Sequence, residues 1–159
     1  MFEKKIKKRE DLKPILEGLT KKGKRVVFTN GCFDILHSGH VKCLEEAKAN
    51  GDILVVGINS DESLKKIKGE DRPIVDEKGR SHVVAALESV DYVTIFDEET
   101  PLETIKLLLP KVLIKGGDWA KKDIVGSDVV EKTGGEVKNI PLVKGYSTSG
   151  IIKKIKRSG

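Results

Sequence analysis

The sequence has few aromatic residues, two cysteines and no long hydrophobic run. Aromatic residues fill 4% of the 159 positions, which disfavours a surface that stacks on nucleic-acid bases. No segment approaches the roughly 20 apolar residues of a transmembrane helix, so we expect no membrane partner. The basic segment 1–9 lacks the apolar core of a signal peptide. Cys32 and Cys43 are expected to be reduced thiols, which favours a cytoplasmic location.

Several catalytic and cofactor-binding motifs are also missing. The chain has no G-x-x-x-x-G-K-[ST] loop and no G-x-G-x-x-G fingerprint, which disfavours P-loop NTPases and enzymes that bind nicotinamide or flavin. It has no G-x-S-x-G elbow, and the third histidine, His82, has no evident partner in the sequence. The sequence therefore offers no clear pairing of a nucleophile with a general base.

Charged residues are abundant, at 35% of the chain, and the formal net charge is +5. Lysines concentrate in segments 4–9, 21–25 and 153–157. Basic clusters can bind nucleic acid, but here aromatic residues are few and the lysines are interleaved with apolar or acidic residues. We therefore interpret them as a solvated surface and do not expect a nucleic-acid partner.

Apolar segments of strand length alternate with helical patterns along the chain. Segments such as Ile53–Ile58 are apolar throughout, as strands covered on both faces are. The alternation predicts an α/β fold in which a parallel sheet lies between two layers of helices. Strands are predicted over 25–29, 53–58, 92–96, 112–115 and 136–142, and helices over 11–22, 41–49, 77–89, 101–109, 124–132 and 149–156. We expect a single domain over residues 1–159: a leading helix (1–23), an α/β core (24–146) with a mobile polar loop over 66–77, and a C-terminal helix (147–159).

One segment, Asn30–His40, carries most of the functional information. It joins a buried strand to an amphipathic helix and places His37 and His40 three residues apart at the helix start. N–H groups at a helix N-terminus attract anions, and the imidazoles add two donors, so the segment predicts a phosphate site. A zinc site with Cys32 and Cys43 and a pair of plain core histidines are the alternatives. The spacing matches no common zinc motif, and Cys43 falls on the apolar stripe of the helix.

Other polar and glycine-rich segments follow predicted strands, where open α/β sheets bind their ligands. Lys115–Asp118 offers a cation, two glycines that permit close approach of a ligand, and a carboxylate. Tyr146–Gly150 offers hydroxyls and the first N–H groups of the last helix. These segments are expected to line one cleft together with Gly31–His40, Asn59–Asp61, Asp97–Pro101 and the whole of Leu142–Ser149. Trp119, the only tryptophan, is interpreted as a cap on the core, and Arg80 carries no signal of its own.

The missing nucleophile–base pair narrows the chemistry. A phosphate monoester has its second pKa near ~6 and is largely dianionic at neutral pH, so it can attack without a general base. Its attack on the α-phosphate of a nucleoside triphosphate needs positioning and neutralisation of charge. Backbone donors, histidines and lysines supply both. The residues alone thus predict nucleotidyl transfer to a phosphorylated acceptor.

Residues His37-Ser38-Gly39-His40, after Gly31-Cys32-Phe33-Asp34, resemble the H-x-G-H signature of the cytidylyltransferase-like nucleotidyltransferases. Cys32 favours one subgroup, because the glycerol 3-phosphate and ethanolamine-phosphate cytidylyltransferases and the FMN adenylyltransferases usually carry Thr there. That subgroup is the heptose 1-phosphate adenylyltransferases, the second domain of the bifunctional lipopolysaccharide heptose enzyme. The resemblance covers roughly residues 10–157 and includes segments 28–34, 59–61, 68–73, 87–91, 100–101, 115–118, 134–137 and 146–149.

The resemblance implies a Rossmann-like domain with a five-stranded parallel sheet in the order 3-2-1-4-5. It implies that AMP passes from ATP, with Mg²⁺, to D-glycero-β-D-manno-heptose 1-phosphate, giving ADP-heptose and pyrophosphate for lipopolysaccharide core or related glycan synthesis. A homodimer is also implied. The 159 residues contain no sugar-kinase domain, so we expect any kinase to be a separate protein. The cytidylyltransferases and FMN adenylyltransferase named above remain enzyme alternatives, and a nucleotide sensor or nucleic-acid binder remains the alternative outside catalysis.

The same resemblance implies roles for residues at matching positions. His37, His40 and Lys115 would be catalytic, with the histidines stabilising the α-phosphate in the transition state. The sugar-phosphate side would use Asn59, Asp61 and Lys68, and no residue is assigned to a metal. The family's acidic residue and Asp ahead of the helical arginine are replaced here by Lys78-Gly79. Nucleotide contacts would come from Asn30, Gly31, Cys32, Phe33, Arg80, Gly116, Asp118, Ser147, Thr148 and Ser149.

Overall fold

The computed structural model describes all 159 residues, which form one parallel sheet with helices around it. The strands are β1 (Val26–Gly31), β2 (Ile53–Asn59), β3 (Tyr92–Phe96), β4 (Val112–Gly116) and β5 (Glu136–Ile140). The helices are α1 (Arg9–Lys21), α2 (Ser38–Lys48), α3 (Asp61–Lys68), α4 (Glu77–Ala85), α5 (Leu102–Leu108), α6 (Ser127–Lys132) and α7 (Thr148–Ser158). The strand order is β3-β2-β1-β4-β5, which confirms the expected fold class. No helix is both long and apolar enough to cross a membrane.

Hydrophobic side chains on the two faces of the sheet form two separate cores, because successive strand residues point to opposite faces. One core lies under α2 and α4 and includes Leu44, Leu54 and Val84, all fully or almost fully buried. The other lies under α1, α5 and α6 and includes Leu12 and Phe28. Apolar side chains on both faces of one strand explain why the strand segments are continuously hydrophobic.

Strand β1 is the central strand of the sheet. Strands β2 and β3 lie on one side of it, and β4 and β5 lie on the other. Its pairing with β2 extends over six residues, whereas its pairing with β4 is limited to Val27 with Val112 and Phe28 with Leu113. Beyond these pairs the Thr29 hydroxyl donates to the Ile114 carbonyl at 3.0 Å. The ladder between β1 and β4 therefore ends early, and a crevice opens at their carboxyl ends, where such folds bind ligands.

Helix α3 corrects the prediction of a mobile loop over 66–77, whose first residues are helical. Ser60 caps the helix by accepting a hydrogen bond from the Ser63 N–H at 3.2 Å. Acidic residues in the first turn and lysines in the last turn stabilise the helix through favourable interactions with its dipole. The hydrophobic pattern misses this helix because Leu64 is its only buried apolar residue. Helix α4 also ends at Ala85, before the predicted end at residue 89.

Candidate active site

His37 and His40 cap the first turn of helix α2 with their own side chains. His37 Nδ1 accepts the N–H of Gly39 at 3.1 Å, and His40 Nδ1 accepts the N–H of His37 at 3.2 Å. This reciprocal pair is a capping box, a role usually taken by Ser or Thr with Glu or Gln. Because each Nδ1 is an acceptor, each neutral ring carries its proton on Nε2. The rings stack with centroids 3.8 Å apart and thus hold two Nε2–H donors close together.

Both imidazoles are held in the neutral form. Burial lowers the pKa of His37 below its usual value. Burial, followed by repulsion from a charge on His37, lowers the pKa of His40 to about 4. At neutral pH the pair therefore donates hydrogen bonds without bringing two positive charges into contact.

The backbone around the motif is tightly constrained. Phe33 and Ile35 have φ angles of 51° and 53°, in the left-handed region that residues with a β-carbon rarely adopt. At Gly39, a β-carbon would lie 2.9 Å from a ring carbon of His37 and 3.1 Å from Cβ of Tyr146. Only glycine therefore fits between the His37 ring and Tyr146. Strain of this kind concentrates at functional sites, where the surrounding structure must maintain it.

Asp34 anchors the motif to two other segments. Its buried carboxylate accepts hydrogen bonds from Arg72 Nε at 2.7 Å, from the Ile74 N–H at 2.9 Å and from the Val75 N–H at 3.0 Å. Burial alone would raise the pKa of Asp34, but these three donors lower it, so the group is ionised. The Asp34 carbonyl accepts the Thr148 hydroxyl at 2.7 Å. Asp34 therefore fixes both the 72–75 segment and the start of α7 against the motif.

The two histidines face a cavity of about 320 Å³, here called the histidine cavity. Two helix N-termini meet there: that of α2, with Gly39 and His40, and that of α7, with Thr148. Lys115, from the end of β4, adds a cation, and no carboxylate lines this cavity. The first N–H groups of a helix have no partner within the helix, so both termini attract anions. The arrangement suits a polyphosphate.

A second cavity of about 320 Å³, here called the tryptophan cavity, adjoins the first. The two share Asn30, Gly31, Cys32 and Lys115, and the second also contains Asn59, Ile67, Lys68, Glu99, Thr100, Pro101, Trp119, Asp123, Ile124 and Val125. Trp119 lines this cavity with 48% of its surface exposed, so its interpretation as a core cap is wrong. The side chain instead lies on the loop that follows β4, outside both cores.

Most predicted site residues line one of the two cavities. The histidine cavity contains Asn30, Gly31, Cys32, Phe33, His37, His40, Lys115, Gly116, Ser147 and Thr148. Asn59 and Lys68, expected on the sugar-phosphate side, line the tryptophan cavity. Asp118 lies in a separate shallow groove with Asn139 and Leu142. Ser149 is exposed in the first turn of α7, next to Thr148.

Arg80 and Asp61 lie outside both cavities and bind each other. Arg80 is 2% exposed, and its Nη2 donates to Asp61 Oδ1 at 2.8 Å. Its Nη1 donates to the Cys32 carbonyl at 2.6 Å and its Nε to the Val75 carbonyl at 3.0 Å. All three nitrogens of the guanidinium therefore donate to protein acceptors. In this structure Arg80 supports the motif from behind, at the Cys32 carbonyl.

Cys32 and Cys43 are free thiols. Burial is the main cause that raises the pKa of each, so both are protonated at neutral pH. No group of three or more His, Cys, Asp or Glu side chains is placed to hold a metal ion, so the zinc alternative has no ligand cluster. Neither thiol is a nucleophile poised for covalent catalysis.

Residues from the segments predicted at the strand ends do line the cleft. Thr100 and Pro101 line the tryptophan cavity, and Leu142 and Tyr146 line the histidine cavity with 70% and 50% of their surfaces exposed. Their position after β3 and β5 was the signal, because all carboxyl ends of a parallel sheet lie at one edge. Three further residues of the tryptophan cavity had no predicted role: Ile67, Asp123 and Val125. None of them directly follows a strand, so no local pattern marks them.

The sheet order and this cleft together define the class of the chain as a nucleotidyltransferase domain. Two helix N-termini, a lysine and two neutral imidazoles surround a cavity free of carboxylates, beside a second cavity that can hold an acceptor. Comparison with protein families agrees with that geometry. The chain belongs to the cytidylyltransferase-like family, whose model matches residues 28–157.

Curated relatives and solved structures are consistent with this membership. The bifunctional protein HldE of Geobacter metallireducens is 54% identical over 97% of the chain, and that of Aliarcobacter butzleri is 52% identical over 96%. The chain spans 31% of the length of each. The lipopolysaccharide core biosynthesis protein of Thermoplasma volcanium is 31% identical, with a TM-score of 0.61 over 79% of this chain and all of that one. Pantoate–β-alanine ligase of Francisella tularensis, 16% identical, shares the fold (TM-score 0.63; 91% of this chain, 69% of that one).

Proposed function

We propose that the chain transfers AMP from ATP to D-glycero-β-D-manno-heptose 1-phosphate, releasing pyrophosphate and forming an ADP-heptose. The observation that carries the proposal is the stacked pair His37 and His40, with Nε2–H donors at a helix N-terminus in a cavity without carboxylates. The motif resemblance to heptose 1-phosphate adenylyltransferases and the identity with bifunctional HldE proteins support the acceptor. So does the likeness to a lipopolysaccharide core biosynthesis protein.

In the proposed reaction an oxygen of the acceptor phosphate attacks the α-phosphorus of ATP. The bond from that phosphorus to the oxygen bridging the β-phosphate breaks, and pyrophosphate leaves with the electron pair. The acceptor is already dianionic near neutral pH, so no residue has to remove a proton. His37, His40 and Lys115 stabilise the charge that develops on the α-phosphate oxygens.

The two cavities divide the substrates. We place the nucleotide in the histidine cavity, where Ser147 and Thr148 at the start of α7 bind its β- and γ-phosphates. We place the acceptor in the tryptophan cavity, where Asn59 and Lys68 face it. Cys32 and Lys115 line both cavities and therefore mark the point of transfer.

Mg²⁺ enters in this proposal as part of the substrate. The histidine cavity has no carboxylate, and the structure has no cluster of metal-binding side chains. Magnesium commonly keeps water ligands and binds through substrate phosphates, which fits delivery as MgATP.

ATP as the donor and two free thiols support a cytoplasmic location. A kinase must supply the sugar 1-phosphate. The motif resemblance implies a homodimer.

A pyrophosphate-release assay tests the proposal by crossing ATP and CTP with four acceptors. The acceptors are heptose 1-phosphate, glycerol 3-phosphate, ethanolamine phosphate and FMN. We expect turnover with ATP and heptose 1-phosphate to exceed every other pair by at least about tenfold in kcat/KM, a difference of ~1.4 kcal/mol. A preference for CTP, or for another acceptor, would identify a different transferase of the family. The double variant H37N/H40Q should lose this release, and release that persists in it would contradict the catalytic role of the histidines.

A further inference from the structure

We propose that Trp119 is the surface on which the uncharged, hydroxylated body of the acceptor rests, and that Asn139 positions it. This inference depends on the proposed nucleotidyl transfer and specifies the chemical class of its acceptor. It adds two residues, Trp119 and Asn139, to which no function was assigned from the sequence.

Exposed apolar side chains gather at the mouth of the tryptophan cavity. Ile67 is 45% exposed, Trp119 48% and Val125 39%, and all three line this cavity. A concave surface that is apolar and open to water is typical of a ligand site. An indole ring can pack against the C–H groups of a sugar, while hydroxyls around the ring plane bind polar neighbours.

Trp119 is held in place before any ligand binds. Asn139, on edge strand β5, donates from Nδ2 to the Trp119 carbonyl at 2.6 Å and accepts the Trp119 N–H at 3.3 Å. The ring packs against Gly117, where a β-carbon would lie 3.1 Å from Nε1. Gly117 has a φ of 104°, which favours glycine and lets the chain turn here. Asn139 thus fixes the backbone on both sides of the residue that carries the indole.

The charges around the ring select the class of acceptor. Lys115 Nζ lies 5.5 Å from the indole centroid, so the ring already interacts with a cation. The ring face therefore offers no free cation site to the amine of ethanolamine phosphate. Lys115 and Lys68 suit one phosphate, whereas Glu99 and Asp123 accept hydrogen bonds from hydroxyls and repel a second anion. A neutral polyol with a single phosphate, which is a sugar phosphate, meets all these conditions.

Intrinsic fluorescence tests the placement without any turnover, because Trp119 is the only tryptophan in the chain. We expect a saturable change in its emission on titration with mannose 1-phosphate or heptose 1-phosphate. Inorganic phosphate and ethanolamine phosphate should give less than about a fifth of that change. Emission that is unchanged at saturating sugar phosphate, with binding confirmed by calorimetry, would overturn the inference whatever the outcome of the pyrophosphate assay.

Kinetics of variants supply the second test. W119A should raise the KM for the sugar phosphate about tenfold and leave the KM for ATP within about twofold, while W119F retains most of the affinity. N139A should raise the acceptor KM by a smaller factor, because the ring remains but its backbone is no longer fixed. V83A, at an apolar residue equally exposed but outside both cavities, is the control with unchanged kinetics. An increase in the ATP KM with an unchanged acceptor KM would overturn the inference, as would an N139A protein with wild-type kinetics.

Discussion

At the scale of single residues, His37 and His40 each have two roles: they cap helix α2 and they donate a hydrogen bond to the cavity. Replacement by alanine removes both roles at once. Each imidazole accepts a backbone N–H through Nδ1 and offers Nε2–H to the cavity. Replacement by alanine removes a helix cap, worth about 1 kcal/mol, together with the donor to phosphate. Variants that keep the cap and remove only the Nε2–H donor separate the two effects.

H37N and H40Q are such variants, because Asn is a preferred N-cap residue and Gln is a usual partner three positions later. We expect each to lower kcat by about 10²–10³-fold, while the free energy of unfolding stays within about 0.5 kcal/mol of wild type. H37A and H40A should lose activity and about 1 kcal/mol of stability as well. Pyrophosphate release and urea denaturation measure both quantities. A near-wild-type kcat in H37N and H40Q would show that the histidines have no catalytic role.

The lowered pKa of His40 makes stability depend on pH in a defined window. The folded protein binds a proton at His40 only near pH 4, whereas the unfolded chain binds it near 6.5. The unfolded state therefore gains protons first as pH falls from about 6.5 towards 4, and the folded state loses stability over that range. We expect H40Q to lose less stability than wild type between pH 7 and 4.5, measured by urea denaturation. Parallel losses in the two proteins would contradict the assigned pKa.

At the scale of elements, the start of α2 depends on glycine, unlike the body of α1. Alanine normally favours a helix over glycine by about 1 kcal/mol. In G39A the new methyl group meets the His37 ring and Tyr146, so we expect at least a tenfold fall in kcat. The matched control is G18A in α1, where no atom beyond the helix's own backbone lies within 4 Å of the new methyl group. G18A should keep full activity and gain up to about 1 kcal/mol; full activity in G39A would contradict the proposed packing.

Asp34 connects the motif to the segment after α3, and that connection is testable. Asn in its place cannot accept hydrogen bonds from both Arg72 and the Ile74 and Val75 N–H groups through two charged oxygens. We expect D34N to lower the free energy of unfolding by about 2–4 kcal/mol and to speed proteolysis within residues 69–75. D71N, at an exposed carboxylate nearby, is the control and should match wild type. Equal stability of D34N and wild type would contradict the claim that Asp34 anchors the motif to the segment after α3.

At the scale of the whole molecule, the sequence predicts the sheet better than the details of the cleft. Apolar segments of strand length that alternate with helical patterns predict five strands, and the chemistry of residues 30–40 predicts an anion site at their carboxyl edge. The strand order came from the family resemblance, because alternation alone does not determine which strands are neighbours. The structure has that order.

The parts that sequence reasoning missed depend on contacts between distant segments. Arg80 is buried because Cys32, Asp61 and Val75 provide acceptors from three different parts of the chain. Trp119 faces a cavity because Asn139, twenty residues later, fixes its backbone. Neither pairing leaves a local pattern in the sequence. Local patterns locate motifs in the chain, whereas long-range hydrogen bonds decide which side chains face the ligand.

Exchange of labelled pyrophosphate into ATP tests the central claim, direct attack by the acceptor phosphate without a covalent intermediate on the protein. The structure has two protonated thiols and two neutral histidines fixed by their caps, which favours that direct route. We predict no label in ATP when the protein is incubated with MgATP and labelled pyrophosphate alone. Label should enter ATP only when ADP-heptose or heptose 1-phosphate is added. Exchange in the absence of both sugar compounds would reveal a nucleotidyl–protein intermediate and contradict the account.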